Sequence, residues 1–186
     1  MLLDERQVLL ELSDVINYPF IAGYQSQATR ALLKDLPDHL QDFKENLKKF
    51  EEHISSLDLE PLQELYTTTF DIQGRCCLDL GFVLWGEDYK RGDFLVKMKG
   101  LQEEYGVDLK SELPDHLPNV LKLLAKMDEQ TLRSDLVSKI LLPSLSKMQK
   151  SFKDQENPYK FLLLAIKSFF TPRYQEHPWV MEVAVC

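Results

Sequence analysis

Glycine is scarce in this sequence, with seven in 186 residues. Tight hairpin turns draw on residues that tolerate positive φ, so the scarcity argues against an all-β fold. Cysteine is scarcer still: Cys76, Cys77 and Cys186 are odd in number, and two are adjacent. That pattern is neither a disulfide framework nor a C-x-x-C metal or redox motif, and reduced thiols fit a cytosolic compartment. Long apolar runs are missing as well. The longest, Phe161–Ile166, lies between Lys160 and Lys167, whereas a membrane-spanning helix needs about 20 apolar residues. The opening MLLDERQVLL is acidic where a signal peptide carries a basic stretch. The expectation is a cytoplasmic protein with no stable membrane insertion.

Positive charge is also in deficit. Twenty-two Lys and Arg face 30 Asp and Glu, for a net charge of −8 and a pI near 5.0. Phosphate binding needs a basic face, so no nucleic-acid partner is expected, and a basic peptide or protein suits the charge better. Catalytic patterns are lacking too. There is no nucleophile elbow, P-loop or G-x-G-x-x-G. His39, His53, His116 and His177 never pair at i, i+4, and the acidic residues have no calcium-loop spacing. Asp35, Asp38 and His39, like Asp115 and His116, read as helix-start residues with a surface histidine. No catalytic residue, metal ligand or cofactor is therefore assigned, and the chain is expected not to be an enzyme.

What the sequence does have is helical periodicity over most of its length. Leu2, Leu3, Val8, Leu9, Leu12 and Ile16 share one face, and Pro19 and Gly23 interrupt it. Ser26 is expected to cap a second helix running to Leu33 or Lys34. Asp38 and Gln41 match a capping box ahead of Leu40, Phe43, Leu47, Phe50 and Ile54, whose three- and four-residue steps define one face. Asp58 opens a helix with Pro61 in its first turn. The Thr67–Thr69 run predicts that the helix frays or ends near Phe70–Gly74, because β-branched side chains lose rotamer freedom in a helix. Cys77–Trp85 fits both a strand-like alternation and a helix face; helix is preferred because only Trp179–Val185 otherwise resembles a strand. Gly86 is expected to end it.

Asp88 or Tyr89 then starts a helix that stops at Gly106, and Asp115 is expected to cap the next, with Pro118 in its first turn. Further helices are predicted over about Gln130–Leu142, Pro143–Phe152 and Asn157–Phe170, the last apolar on nearly every side and so central to a core. The fold expected is all-α, a single domain over 1–186 with about seven to nine helices.

The pentapeptide LPDHL occurs twice, at Leu36–Leu40 and Leu113–Leu117. The first copy is accounted for by helix-start chemistry. The second falls in a more informative region. Tyr66, Phe70 and Asp71 form a Tyr-x-x-x-Phe-Asp segment. Gly86, Arg91 and Gly92 follow, then Tyr105 and Gly106 at contracted spacing, then E-L-P-D-H-L-P at Glu112–Pro118. In that order, over about Leu62 to Met127, the chain resembles the NarJ-type (nitrate reductase delta subunit) assembly chaperones of molybdenum enzymes, related to the TorD and DmsD maturation proteins. The flanks agree only in helical character, and the chain is shorter than many members.

The resemblance implies a cytosolic, system-specific chaperone. Its partner would be the N-terminal peptide, a twin-arginine signal or its remnant, of a molybdenum-containing reductase or dehydrogenase catalytic subunit. It would hold that subunit for cofactor insertion before export or membrane attachment. The peptide is basic and apolar, which calls for an apolar groove with an acidic rim. By this likeness Asp115 and His116 are peptide-binding candidates. Tyr66, Phe70, Phe82 and Trp85 are candidates for the floor, and Glu64, Asp71 and Asp115 for the rim. Arg91 is expected as a structural ion-pair partner, since the ligand is itself basic. The alternative is a non-enzymatic helical scaffold or subunit of another complex. A homo-oligomer stays open.

Overall fold

The computed structural model describes residues 4–34, 36–71, 76–109, 111–152 and 157–175. Leu2, Leu3, Asp35, Gly74, His177, Trp179–Val185 and Cys186 lie outside the described residues, as does the side chain of Asp38. The described residues are all-helical: α1 (Glu5–Val15), α2 (Tyr24–Lys34), α3 (Gln41–Ile54), α4 (Leu59–Phe70), α5 (Leu80–Trp85), α6 (Tyr89–Glu104), α7 (Leu117–Lys126), α8 (Gln130–Asp135), α9 (Leu142–Ser151) and α10 (Pro158–Phe170).

Helix α10 is the hub expected from its composition. It buries Tyr159, Leu162, Leu163, Ile166, Phe169 and Phe170 and lies along α3, whose buried face is Phe43, Leu47, Phe50 and Ile54. Asn157 caps α10 by accepting from the Tyr159 amide, and its own amide nitrogen donates to Thr69 on α4 at 2.9 Å. Helix α1 packs on α7, and α5 on α9. The buried apolar residues of these layers form one contiguous cluster. Glu5 at the start of α1 accepts from both Arg133 and Arg173, tying the N-terminal helix to the far end of the chain.

Several local expectations are corrected. Helix α2 starts at Tyr24, directly after Gly23 in the left-handed region (φ 72°). Ser26 lies inside it and donates to Glu51 at 3.0 Å instead of capping. Residues Asp38–Leu40 make one 3-10 turn, and Gln41 begins α3 with its side chain donating to Glu45 rather than closing a capping box. Helix α4 ends at Phe70, within the stretch expected, while Thr67–Thr69 before it lie in regular helix. The hydroxyls of Thr68 and Thr69 donate back to the carbonyls of Glu64 and Leu65, at 2.8 and 2.6 Å, so they are satisfied within the helix.

The break expected before Pro143 is absent, because residues Leu136–Leu141 widen into a π-helix joining α8 to α9. There the Leu142 amide donates to Val137, five residues back. Proline in a helix lacks an amide hydrogen and crowds the carbonyl four residues earlier, and a widened turn is a known way to absorb such a mismatch.

Candidate functional site

The stretch that divided between strand and helix does both. Asp79 is extended and α5 begins at Leu80. The pairing partner is the second LPDHL. Asp79 and His116 form an antiparallel bridge, in which the Leu117 amide donates to Leu78 and the Leu80 amide to Asp115, both at 2.9 Å. The loop carrying that pentapeptide is held from two further helices. Gln102 of α6 donates to the Pro114 carbonyl at 2.8 Å, and Asn119 of α7 to the Leu113 carbonyl at 3.1 Å. The cap residue of α7 is His116, not Asp115, and Pro118 sits in the first turn as expected.

Four ionisable side chains close over this junction. Arg91 donates through Nη2 to Asp79 at 3.0 Å and through Nε to Asp115 at 3.3 Å. His116 Nδ1 lies 3.0 Å from the other Asp79 oxygen. The Gly81 amide, in the first turn of α5, donates to the same Asp115 oxygen as Arg91, at 3.1 Å. Arg91 thus acts as the ion-pair partner anticipated from the sequence; its guanidinium also stands 5.2 Å from the ring of Phe82.

Electrostatics separates the two carboxylates. Burial raises the Asp79 carboxyl, but the hydrogen bond from His116 and the His116 and Arg91 charges outweigh it and hold the group below its usual range. Burial and the neighbouring Asp79 charge hold Asp115 above the usual range despite Arg91 and Gly81. Asp115 is 0 % exposed, and its Oδ1 has no hydrogen-bond partner among the described residues.

This geometry places the candidates differently from an apolar groove with an acidic rim. Asp115 is not at a rim; it is sealed under Arg91, because a short carboxylate facing a helix N-terminus and a guanidinium is most stable when both are satisfied. His116 is mostly buried against Asp79. Tyr66 and Phe70 are buried in an aromatic cluster with Tyr159, at centroid separations of 5.0 to 5.6 Å. Trp85 packs edge-on to Phe94 at 5.3 Å. Glu64, Asp71 and Phe82 are exposed. The structure therefore joins Asp115 and His116 through Asp79 and Arg91, and joins Tyr66 to Phe70, but it does not gather the candidates into one groove. A cavity of about 420 Å³ lies elsewhere, between α2, the end of α3 and the start of α4, over Ala31, Ile54, Leu57 and Leu62.

Sequence reasoning missed Asp79, Gly81, Gln102 and Asn119. The only signal was the L-D-L-G run at Leu78–Gly81, which becomes meaningful once its pairing register is known. Among the described residues no group of three or more His, Cys, Asp or Glu could hold a metal ion, and no helix is long and apolar enough to cross a membrane.

The profile of the nitrate reductase delta subunit family matches residues 33–159, which contain the whole junction. The chain belongs to that family. It is 30% identical over 160 residues to the nitrate reductase molybdenum cofactor assembly chaperone NarJ of Escherichia coli K12, covering 83% of this chain and 65% of that protein. The chain thus spans less than two-thirds of that relative's length. It is also 30% identical over 137 residues to the probable NarJ chaperone of Bacillus subtilis, covering 70% of this chain and 71% of that one. A crystal structure from Archaeoglobus fulgidus, described as a redox enzyme maturation protein, shares the fold. Its TM-score is 0.60 at 21% identity, over 89% of this chain and 93% of that one. Within this delta subunit family fold, the Asp79–Arg91–Asp115–His116 clasp fixes the junction between α4–α5 and α6–α7.

Proposed function

We propose that this delta subunit family member is a cytoplasmic, non-enzymatic assembly chaperone. In this reading it binds the N-terminal segment of a molybdoenzyme catalytic subunit and holds that subunit for cofactor insertion before export or membrane attachment. The observation that carries the reading is membership of the family, whose curated relatives are named as nitrate reductase molybdenum cofactor assembly chaperones. A net charge of −8 suits a cationic ligand.

The sequence candidates are read in three roles. Glu64 and Asp71 are exposed, which supports a part for them in meeting a basic peptide. Asp115 and His116 act by positioning the loop they lock. Tyr66, Phe70 and Trp85 act by shaping the packing beneath.

The test is titration of a labelled peptide, the N-terminal segment of the nitrate reductase catalytic subunit of the same organism, with the purified chain. Saturable binding that weakens as salt rises is expected, because exposed charge pairs are screened. No binding at any salt concentration removes the proposal. A permanent place for the chain in the purified mature enzyme favours a scaffold instead.

A further inference from the structure

The loop joining α1 to α2 presents its apolar side chains outward. Phe20 is 73% exposed and Ile21 64%, and neighbouring Tyr24 is 38% exposed. Large apolar groups held in water are unfavourable at roughly 25 cal/mol per Å², and a flexible loop would fold them inward. This loop is instead anchored in place. Gln63 of α4 donates to the Pro19 carbonyl at 2.8 Å. The Tyr18 amide donates to Asn17 Oδ1 at 2.9 Å, and the Tyr24 amide to Ile21 at 3.2 Å, closing a turn that ends on Gly23. The Phe20 ring rests edge-on against Tyr18 at 4.9 Å, and Tyr18 against Tyr66 at 5.3 Å. The apolar tip is therefore presented by a braced support.

One flank of the tip is acidic. There the Tyr24 hydroxyl donates to Asp14 at 3.3 Å, with the Glu11 charge close enough to act on the same hydroxyl. An apolar centre with a carboxylate border on one side is complementary to a peptide that combines apolar side chains with Arg or Lys. A second copy of this acidic chain would bring like charge to the same border. The family match begins at residue 33, so this loop lies outside the part of the chain that match covers.

We propose that the Phe20–Ile21 tip, with Asp14 beside it, is the surface on which the cationic, apolar N-terminal segment of the client docks. This rests on the chaperone reading above and gives it a location that the sequence candidates do not supply. The braced loop lowers the ordering cost of binding.

The experiment compares wild-type chain with Phe20→Ser and Ile21→Ser variants, titrating the labelled catalytic-subunit peptide and the same peptide with its Arg and Lys replaced by Gln. Both side chains are exposed, so melting curves should superimpose on wild type. The expected result is affinity lowered about tenfold or more in Phe20→Ser, the scale of one buried aromatic side chain. The glutamine peptide should bind weakly to every variant. A photo-crosslinking residue at position 21 should join to the peptide.

Wild-type binding with unchanged affinity in both variants overturns this location and leaves the chaperone reading standing. Absence of wild-type binding overturns the chaperone reading itself. A concentration-dependent dimer that the variants abolish, with peptide affinity unchanged, assigns the tip to a second copy and overturns the proposal.

Discussion

Substituting Gly81 by Ala tests whether the clasp is as tightly closed as its distances indicate. A Cβ there would stand 2.8 Å from Asp115 Oδ2, 3.1 Å from Phe94 Cδ1 and 3.2 Å from Arg91 Cγ. The carboxylate is fully buried and held by Arg91 and by the Gly81 amide. Moving it weakens two hydrogen bonds to a charged group, each worth about 1.5–3 kcal/mol. Overpacking a filled site adds about 1–3 kcal/mol, and these contributions overlap rather than sum. Alanine's helix preference returns at most about 1 kcal/mol. The net expectation is a loss of about 2–4 kcal/mol.

Gly92 and Gly100, in the exposed face of α6, are the internal control. Nothing lies within 4 Å of a Cβ built at either position. The same substitution there should stabilise by about 0.5–1 kcal/mol. Urea unfolding followed by far-ultraviolet circular dichroism reads all three, with the midpoint falling for Gly81→Ala and rising for the controls at constant slope. A Gly81→Ala midpoint at or above wild type would refute the tight clasp.

Two other expectations follow from the buried chemistry. Asp79 titrates below its usual range in the folded protein, so its contribution to stability is fully present above the unfolded value of about 3.9 and is lost as pH falls through the lower folded value. Asp79→Asn should therefore be less stable than wild type at neutral pH, with the gap closing below about pH 4 in urea midpoints measured against pH; a gap independent of pH counts against the ion pairs. Asp115 runs the opposite way: its raised folded value means that ionising it costs stability as pH climbs above the unfolded value. Burial pushes the Cys76 thiol up to about 12 and raises Cys77 as well. In a Cys186→Ser background, native protein at about pH 8 should react slowly with iodoacetamide at both positions and rapidly once unfolded, and fast native labelling would show the thiols to be accessible.

The helices themselves were legible in the residue pattern, because a three- and four-residue apolar spacing commits a segment to one buried face whatever it packs against. Phe43, Leu47, Phe50 and Ile54 are all buried where that spacing put them, and Asn157–Phe170 is central for the reason its composition gave. The family was legible too, from Tyr66, Phe70, Asp71 and the Glu112–Pro118 run. The site was not. LPDHL shows why: its first copy contains a 3-10 turn leading into α3, while its second pairs His116 with Asp79 and buries Asp115. The same five residues carry the same local preferences, worth only a few tenths of a kcal/mol to about one each. What separates the copies is Arg91, 24 residues upstream of Asp115, and the Gly81 amide, 34 residues away. Long-range charge pairing of that kind exceeds local propensity and has no periodicity to betray it. The chain by itself fixed which faces are greasy and where the helices run; only the packed fold decided which carboxylate is sealed, which is free, and which apolar loop is left facing water.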